Sequence, residues 1–267
     1  MYRYLWYFLI FSFLGWCVEV AFHAVKSGRF VNRGFASGPI CPIYGVGICL
    51  VALLLRSITN LPLLFLASAL LATAVEFAVG FLMDRIFGSR WWDYSSERLN
   101  LFGYVCLRFS IIWGLLCAVA VKLLTPVDYL IAFLDNALGY ILVGVLLALV
   151  AADVLTSSVR VIKFNRRLEL LDYLADEVSY ALSIGSDFIG NGVYKGTSRV
   201  FKEYEKMLAE AAALGVRIID AFPTFKSKAY NRHIQIIRKR LEEIKKKQIT
   251  KKQQLADKVE NNKLNDN

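Results

Sequence analysis

Histidine is nearly missing from this chain, with only His23 and His233 in 267 residues. The five cysteines (Cys17, Cys41, Cys49, Cys106 and Cys117) form no CxxC pair and fall mostly inside apolar stretches. So few ligands without metal-site spacing exclude a zinc centre, and thiols so placed read as reduced packing residues. The phosphate-loop pattern GxxxxGK[ST] does not occur. Gly190-Asn-Gly-Val-Tyr-Lys195-Gly-Thr-Ser lacks the adjacent Gly-Lys-Ser/Thr that would close one. The chain is therefore not expected to be an ATPase itself, and no cofactor or metal is implied. Charge is scarce as well, at 20% of residues. With 57% hydrophobic residues and a mean hydropathy of +0.47, neither a disordered chain nor an ordinary soluble globule fits.

What is abundant is apolar sequence, and it is unevenly placed. Residues 1–159 hold 10 Lys/Arg and 8 Asp/Glu, whereas 160–267 hold 22 and 14. A helix rises about 1.5 Å per residue and the bilayer core is about 30 Å thick, so a crossing takes roughly 20 apolar residues. Stretches 4–25, 41–55, 61–83, 105–124 and 129–155 meet or approach that length. The pattern predicts an all-α polytopic membrane helix bundle of about five transmembrane helices with a helical cytoplasmic tail. It divides into a transmembrane domain (1–159), a basic tail (160–252) and a disordered C-terminus (253–267). The first stretch reads as a retained span, since it is long, aromatic and without a clean cleavage site. In the second, Pro39 and Pro42 with Gly34, Gly38, Gly45 and Gly47 predict an irregular or re-entrant start. The fifth is overlong and should include an interfacial turn near Asp135–Asn136.

Short-loop cations set the expected orientation. Lys26, Arg29 and Arg33 lie in one loop, Arg85, Arg90 and Arg98 near another, and Arg160, Lys163, Arg166 and Arg167 follow the last span. The alternate loops hold only Arg56 and Lys122. An odd number of crossings then puts the N-terminus outside and the C-terminus in the cytoplasm.

Charges inside spans are costly and commonly functional. On the first helix Ser12, Trp16, Glu19, His23 and Lys26 share one face; on the third, Thr73, Glu76, Gly80 and Asp84 do. Glu19 and Glu76 each fall roughly 10–12 Å from the same end. Asp153 on the last span sits at a similar depth, and Arg108 enters from that side. A cytoplasm-facing polar cavity of Glu19, His23, Glu76, Arg108 and Asp153 would suit a cationic or zwitterionic substrate or a proton relay. The competing reading is a buried charge network that only fixes helix packing, with Asp153 snorkelling to the interface.

Two loops carry dense motifs. The first runs from Phe30 to Gly45 and contains Asn32-Arg33-Gly34, Gly38-Pro39 and Pro42-Ile43-Tyr44-Gly45. The second holds Trp92-Asp93-Tyr94-Ser95, Asn100 and Gly103. An interfacial aromatic belt accounts for Trp91 but not for the polar triplets. With Gly15-Trp16, Glu19, Glu76 and Trp113-Gly114, these pieces resemble the CmpB-like type IV ABC-transporter permease family over about residues 1–160. The tail fragment from Phe222 to Ser227 is similar to bacterial members. The chain departs from the pattern at Arg98-Leu99, where Pro-Phe is expected, and at Tyr104, where an arginine is expected, with Arg108 as a candidate replacement. The resemblance implies a permease-like transport component that needs a separate ATPase subunit.

The tail continues the helical pattern at Leu168, Leu171, Leu174, Ala175 and Val178, breaks at 183–198, and resumes over about 200–214. Ile234, Ile237, Leu241 and Ile244 suit a coiled coil or surface helix. Between Pro223 and Lys252 stand 11 Lys/Arg against Glu242 and Glu243, which suits anionic lipid headgroups. Nucleic acid is not an expected partner of a membrane-tethered run. The functions that remain are a transport component, a structural scaffold, and a lipid-directed intramembrane enzyme using Glu19 and His23 as a base pair. Enzyme activity is the least expected.

Overall fold

A computed structural model describes residues 1–185 and 191–265, and the described residues are predominantly helical. Helix α1 spans Tyr2–Ser27, α2 Pro42–Leu54, α3 Leu61–Phe87 and α4 Leu107–Phe133. Beyond them lie α5 (Ala137–Gly185), α6 (Asn191–Ala221) and α7 (Asn231–Asn265). Four segments are long and apolar enough to cross a membrane: α1, α3, α4 and Ala137–Glu177 of α5. The chain is thus an all-α, multi-pass membrane protein. Leu53, Leu63, Leu66 and Leu70 are among many apolar side chains left bare on its outside, a surface suited to lipid rather than water.

The second apolar stretch, 41–55, makes the short α2, and the cause is visible in the backbone. The loop after Ser27 turns back along α1 until the Cys41 N–H donates to the Ser12 carbonyl at 2.9 Å. Ser12 lies 15 residues before Ser27, about 22 Å along the axis. Pro42 opens the helix there, at a position where its missing N–H leaves no bond unmade. The helix then finishes the crossing beside the start of α1, where the Cys49 thiol donates to the Tyr4 carbonyl at 3.3 Å. Residues 28–55 therefore span as half loop and half helix. Gly15 and Gly45 permit the contact: a Cβ on Gly15 would strike the Tyr44 ring, and one on Gly45 the Ser12 hydroxyl and Phe8 carbonyl.

Contacts at one end gather the starts of α1 and α5 with the ends of α2 and α4. The Tyr2 hydroxyl donates to the Leu134 carbonyl at 2.6 Å, and its ring stacks on Tyr140. This is the Tyr2 end; Ser27, Phe87 and Leu107 lie at the other, the Phe87 end. Trp6, Tyr7, Ile48, Val51, Leu64 and Leu124 are buried together in the core between them.

The α4–α5 turn falls where the sequence places it, near Asp135–Asn136, but the helix before it is longer than expected. Helix α4 does not stop near residue 124; it runs through Pro126 to Phe133, and the turn falls at 134–136. Breaking the helix within an apolar layer would strand more backbone groups than the one bond that proline removes. Asn136 then accepts from the Gly139 N–H at 3.0 Å and starts α5.

Two short ladders complete the Phe87 end: β2 (Asn100–Leu101) with β3 (Val105–Cys106), and β1 (Ser89–Arg90) with β4 (Lys226–Ser227). The chain divides into two compact units, Met1–Ile162 with Arg217–Lys228, and Lys163–Val216 with Ala229–Asn267. The expected 160–252 tail is thus split, because residues 217–228 belong with the membrane helices.

In the second unit Phe164, Leu168 and Leu171 of α5, Leu208 and Ala211 of α6, and Ile234 and Ile237 of α7 are buried. The ion pairs Arg167–Glu210 at 3.1 Å and Arg240–Glu205 at 2.7 Å, with a His233–Asp172 hydrogen bond at 2.9 Å, join the same helices. The isoleucine stripe of α7 is therefore core within the chain's own unit, with Ile244 exposed beyond it. The expected break at 183–198 falls partly on residues 186–190, outside the described residues. Helix α7 continues to Asn265, through most of the stretch that composition reads as disordered.

Candidate functional site

The half-loop crossing sets the site. Because α2 begins mid-bundle, Tyr44 in its first turn reaches Glu19 of α1, donating from its hydroxyl to Oε1 at 2.7 Å. The Arg33 Nε, in the descending loop, lies 3.5 Å from Glu19 Oε2. Trp16 donates from Nε1 to the Asn32 side-chain oxygen at 2.8 Å, and the same oxygen accepts from the Gly34 N–H at 2.9 Å. Asn32 in turn donates to the Ser37 carbonyl at 2.7 Å. The triplet Asn32-Arg33-Gly34 thus holds the loop against α1.

On α3, Glu76 is 7% exposed. Its Oε1 accepts from the Tyr94 hydroxyl at 3.2 Å, while the buried Oε2 makes no well-formed hydrogen bond and has the Trp113 side chain beside it as a weak donor. Tyr44 packs edge-on against Trp113 with ring centroids 5.6 Å apart, and Tyr94 stacks on Phe109 at 4.8 Å. Two carboxylates from separate helices therefore flank one aromatic and hydroxyl-bearing wall, within electrostatic reach of each other. Such a wall can solvate a cation, or pass a proton between hydroxyl and carboxyl oxygens.

The second loop is folded on itself and then onto α3. Asp93 Oδ1 accepts from the Ser95 N–H at 3.0 Å, Asn100 Oδ1 from the Gly103 N–H at 3.1 Å, and the Tyr104 carbonyl from Trp92 Nε1 at 2.8 Å. Asp84 receives the Tyr104 hydroxyl at 2.5 Å, Lys228 Nζ at 2.9 Å and Arg90 Nε at 3.6 Å. Burial alone would raise the Asp93 carboxyl; the Lys226 ammonium and the two Ser95 donors outweigh it and hold the group down at about 2.

The profile of the family described as "Putative ABC-transporter type IV" matches residues 6–158, more than half of the chain. The chain belongs to this family. No curated protein and no solved structure matches it. The family match takes in both loops and every residue around Glu19 and Glu76, and it stops before the 217–228 segment.

Within this family member the structure joins Glu19, Tyr44, Arg33 and Asn32 in one network and places Glu76, Tyr94 and Trp113 beside it. His23 stands one turn beyond Glu19, half-buried and within electrostatic reach of Glu19 and Arg33. Asp153 does not snorkel. Its carboxylate accepts from the Ser37 and Gly38 N–H groups at 3.0 and 2.7 Å, fixing the descending loop where Pro39 follows. Arg108 is not brought to the carboxylates; it is exposed, with its guanidinium over the Phe109 ring. Arg90 and Lys228, rather than Arg108, supply cations beside Tyr104. Trp91 is no interfacial belt residue either. It is 2% exposed and lies edge-on to Phe35, Phe222 and Phe225. A shallow cleft at the Phe87 end is lined by Gly80, Met83, Arg90, Trp91, Trp92 and Tyr104. It includes neither Glu19 nor Glu76.

Two groups escaped the sequence reading. Arg217 donates to the carbonyls of Gly34, Phe35 and Ala36 at 3.1, 2.7 and 2.9 Å, satisfying loop backbone that would otherwise lack partners. At the Tyr2 end, Asp128 accepts from the Tyr7 hydroxyl, pairs with Arg56, and lies 3.2 Å from Arg3 Nε. Arg56 and Asp128 do flank apolar runs in the sequence, a signal that places both at a membrane surface without pairing them.

Proposed function

We propose that the chain is the membrane-spanning, permease-like component of a transport system, with Glu19 and Glu76 on the path of a cationic solute or a proton. The observation that carries this is a buried carboxylate, Glu76, with one oxygen left without a well-formed hydrogen bond, set across an aromatic wall from a second intramembrane carboxylate. A group of that kind is costly in a purely architectural role, because a well-packed apolar side chain would serve packing better. The cation-rich Phe87 end faces the cytoplasm in this reading, and the Tyr2 end faces outward. The chain supplies no ATP hydrolysis and no chemistry of its own; an ATPase partner docks on the loops of the Phe87 end.

Uptake into proteoliposomes tests this, using a panel of radiolabelled amines and zwitterions and a pH-sensitive dye for protons. Glu19→Gln and Glu76→Gln should each lower the responsive flux by roughly 100-fold, the scale of a site-residue loss of about 3 kcal/mol, with thermal unfolding little changed. Unchanged flux in both variants rejects the path. The second reading, a structural scaffold, draws on the pairing of Asp84, Asp93, Asp128 and Asp153, which ties loops and helix ends together. In that case the same substitutions lower stability and no flux is found. Gentle purification with identification of bound chains adds a cheap discriminator, since an ATPase among them favours transport.

A further inference from the structure

We propose that residues 217–228 are a releasable seal across the Phe87 end, and that its undocking opens the way to Glu19 and Glu76. The inference rests on the transport reading and assigns that site its regulation.

The segment holds the end of the bundle at three places. Arg217 grips three carbonyls of the descending loop. Phe222 and Phe225 lie edge-on against Trp91, with centroids 5.0 and 5.4 Å away. Lys226 and Ser227 then add a strand to Arg90 and Ser89, while Lys226 Nζ sits 2.7 Å from Asp93 and Lys228 Nζ 2.9 Å from Asp84. One chain segment thus bridges the α1–α2 loop and the α3–α4 loop, the two elements that carry Arg33 and Tyr94.

The link to the carboxylates is direct. Arg33, the cation beside Glu19, also donates to the Ala221 carbonyl and lies 5.5 Å over the Phe222 ring. Docked, the segment fixes the counter-charge of Glu19. Undocked, Arg33 loses both its carbonyl acceptor and its ring partner, and the loop loses the donor on three carbonyls.

The bonding is of a kind that can let go. The ladder is two residues long, and in both ion pairs the lysine is half-exposed (51% and 57%) although its acid partner, Asp93 or Asp84, is buried. A pair whose cation stays in water is screened by salt. The aromatic anchors at Trp91 give the segment one specific seat to return to, as an added strand with side-chain pockets does in peptide recognition.

Cys41 is a built-in reporter, being 6% exposed and close to both Glu19 and Arg33. The test uses the full chain in liposomes with Cys17, Cys49, Cys106 and Cys117 replaced by alanine. Reaction of Cys41 with a membrane-impermeant maleimide is read peptide by peptide by mass spectrometry. The parent should react slowly, and faster in 1 M salt. A Lys226→Glu/Lys228→Glu variant should react roughly ten-fold faster, the size by which two half-exposed ion pairs can shift an equilibrium. Adding Ser89→Cys and Ser227→Cys, which face each other in the ladder, should restore the slow rate when oxidised and release it on reduction. Parent-like labelling of the charge-reversed variant, with fast amide exchange at Lys228 proving the ladder open, would overturn the seal. So would fast labelling that persists under the oxidised lock, which would mean general loosening. Glu76→Gln, on α3 and outside the Arg33–Glu19 pair, separates the two ideas: it removes flux if the transport reading holds, and leaves the roughly ten-fold rise in maleimide rate on Lys226→Glu/Lys228→Glu intact in either case.

Discussion

Asp93 shows how a single side chain is held in this protein. It accepts from two Ser95 donors and from Lys226, and its carboxyl is held near 2, below the ordinary carboxylate range. The folded value lies below the unfolded one, so its stabilisation is present above about pH 4 and disappears as pH falls towards 2. We expect Asp93→Asn to lower stability at pH 7 by about 1–2 kcal/mol, discounted for the half-exposed lysine. The difference from the parent should vanish near pH 2. Unfolding in detergent across pH 2–7 checks this, and a pH-independent difference would rule it out. The residue scale is also where sequence pattern reads best for some groups and not at all for others. Glu19 and Glu76 were legible because each repeats on one helix face with polar neighbours. Arg56 and Asp128 are separated by 72 residues and have no periodic companions, so nothing local pairs them. The misreading of Arg108 has the same cause: depth in a span says which level a group occupies, not which way around the helix it points.

At the scale of elements, the packing of α1 on α2 depends on hydrogen atoms where other residues carry carbon. A Cβ on Gly45 would collide with the Ser12 hydroxyl, the Phe8 carbonyl and the Phe8 ring, of which the carbonyl is main chain and cannot rotate away. Gly47, one half-turn on, has nothing within 4 Å. Gly45→Ala should therefore destabilise by about 1–3 kcal/mol through overpacking, while Gly47→Ala gains up to about 1 kcal/mol of helix propensity. Thermal unfolding in one detergent gives both signs, and equal effects would refute the close approach. The prolines and glycines of the 34–47 stretch made this irregular crossing readable before any coordinates. The turn near Asp135–Asn136 was readable too; the unbroken run of α4 through Pro126 was not, because Pro126 signals a stop in water-facing sequence and loses that meaning when the surroundings offer the backbone no alternative partner.

At the scale of the molecule, the question is how many times the chain crosses. Four segments are long enough by length and composition, which taken alone would bring both ends of the bundle's chain to one side. The contacts of residues 28–55 argue otherwise. That stretch leaves the Phe87 end at Ser27, passes the Ser12 level at Cys41, and delivers Arg56 to Asp128 and Tyr7 at the Tyr2 end. In the orientation we propose, this makes an odd number of passages, with Met1 and Arg160 on opposite sides and the cation-rich Phe87 end in the cytoplasm. Single cysteines at Ser57, Asn136, Ser27 and Ser95 in a cysteine-free background should then label from outside at the first two positions and from the cytoplasm at the last two. Labelling of Ser57→Cys and Ser27→Cys from one side would make the 28–55 stretch a true re-entrant loop and return the N-terminus to the cytoplasm. The composition of the tail gave no view of how residues 217–228 are used, because a basic, aromatic segment reads alike whether it meets lipid, solvent or its own bundle. The register of Ser227 opposite Ser89, with Arg217 on the loop carbonyls and Phe222 and Phe225 on Trp91, separates those cases.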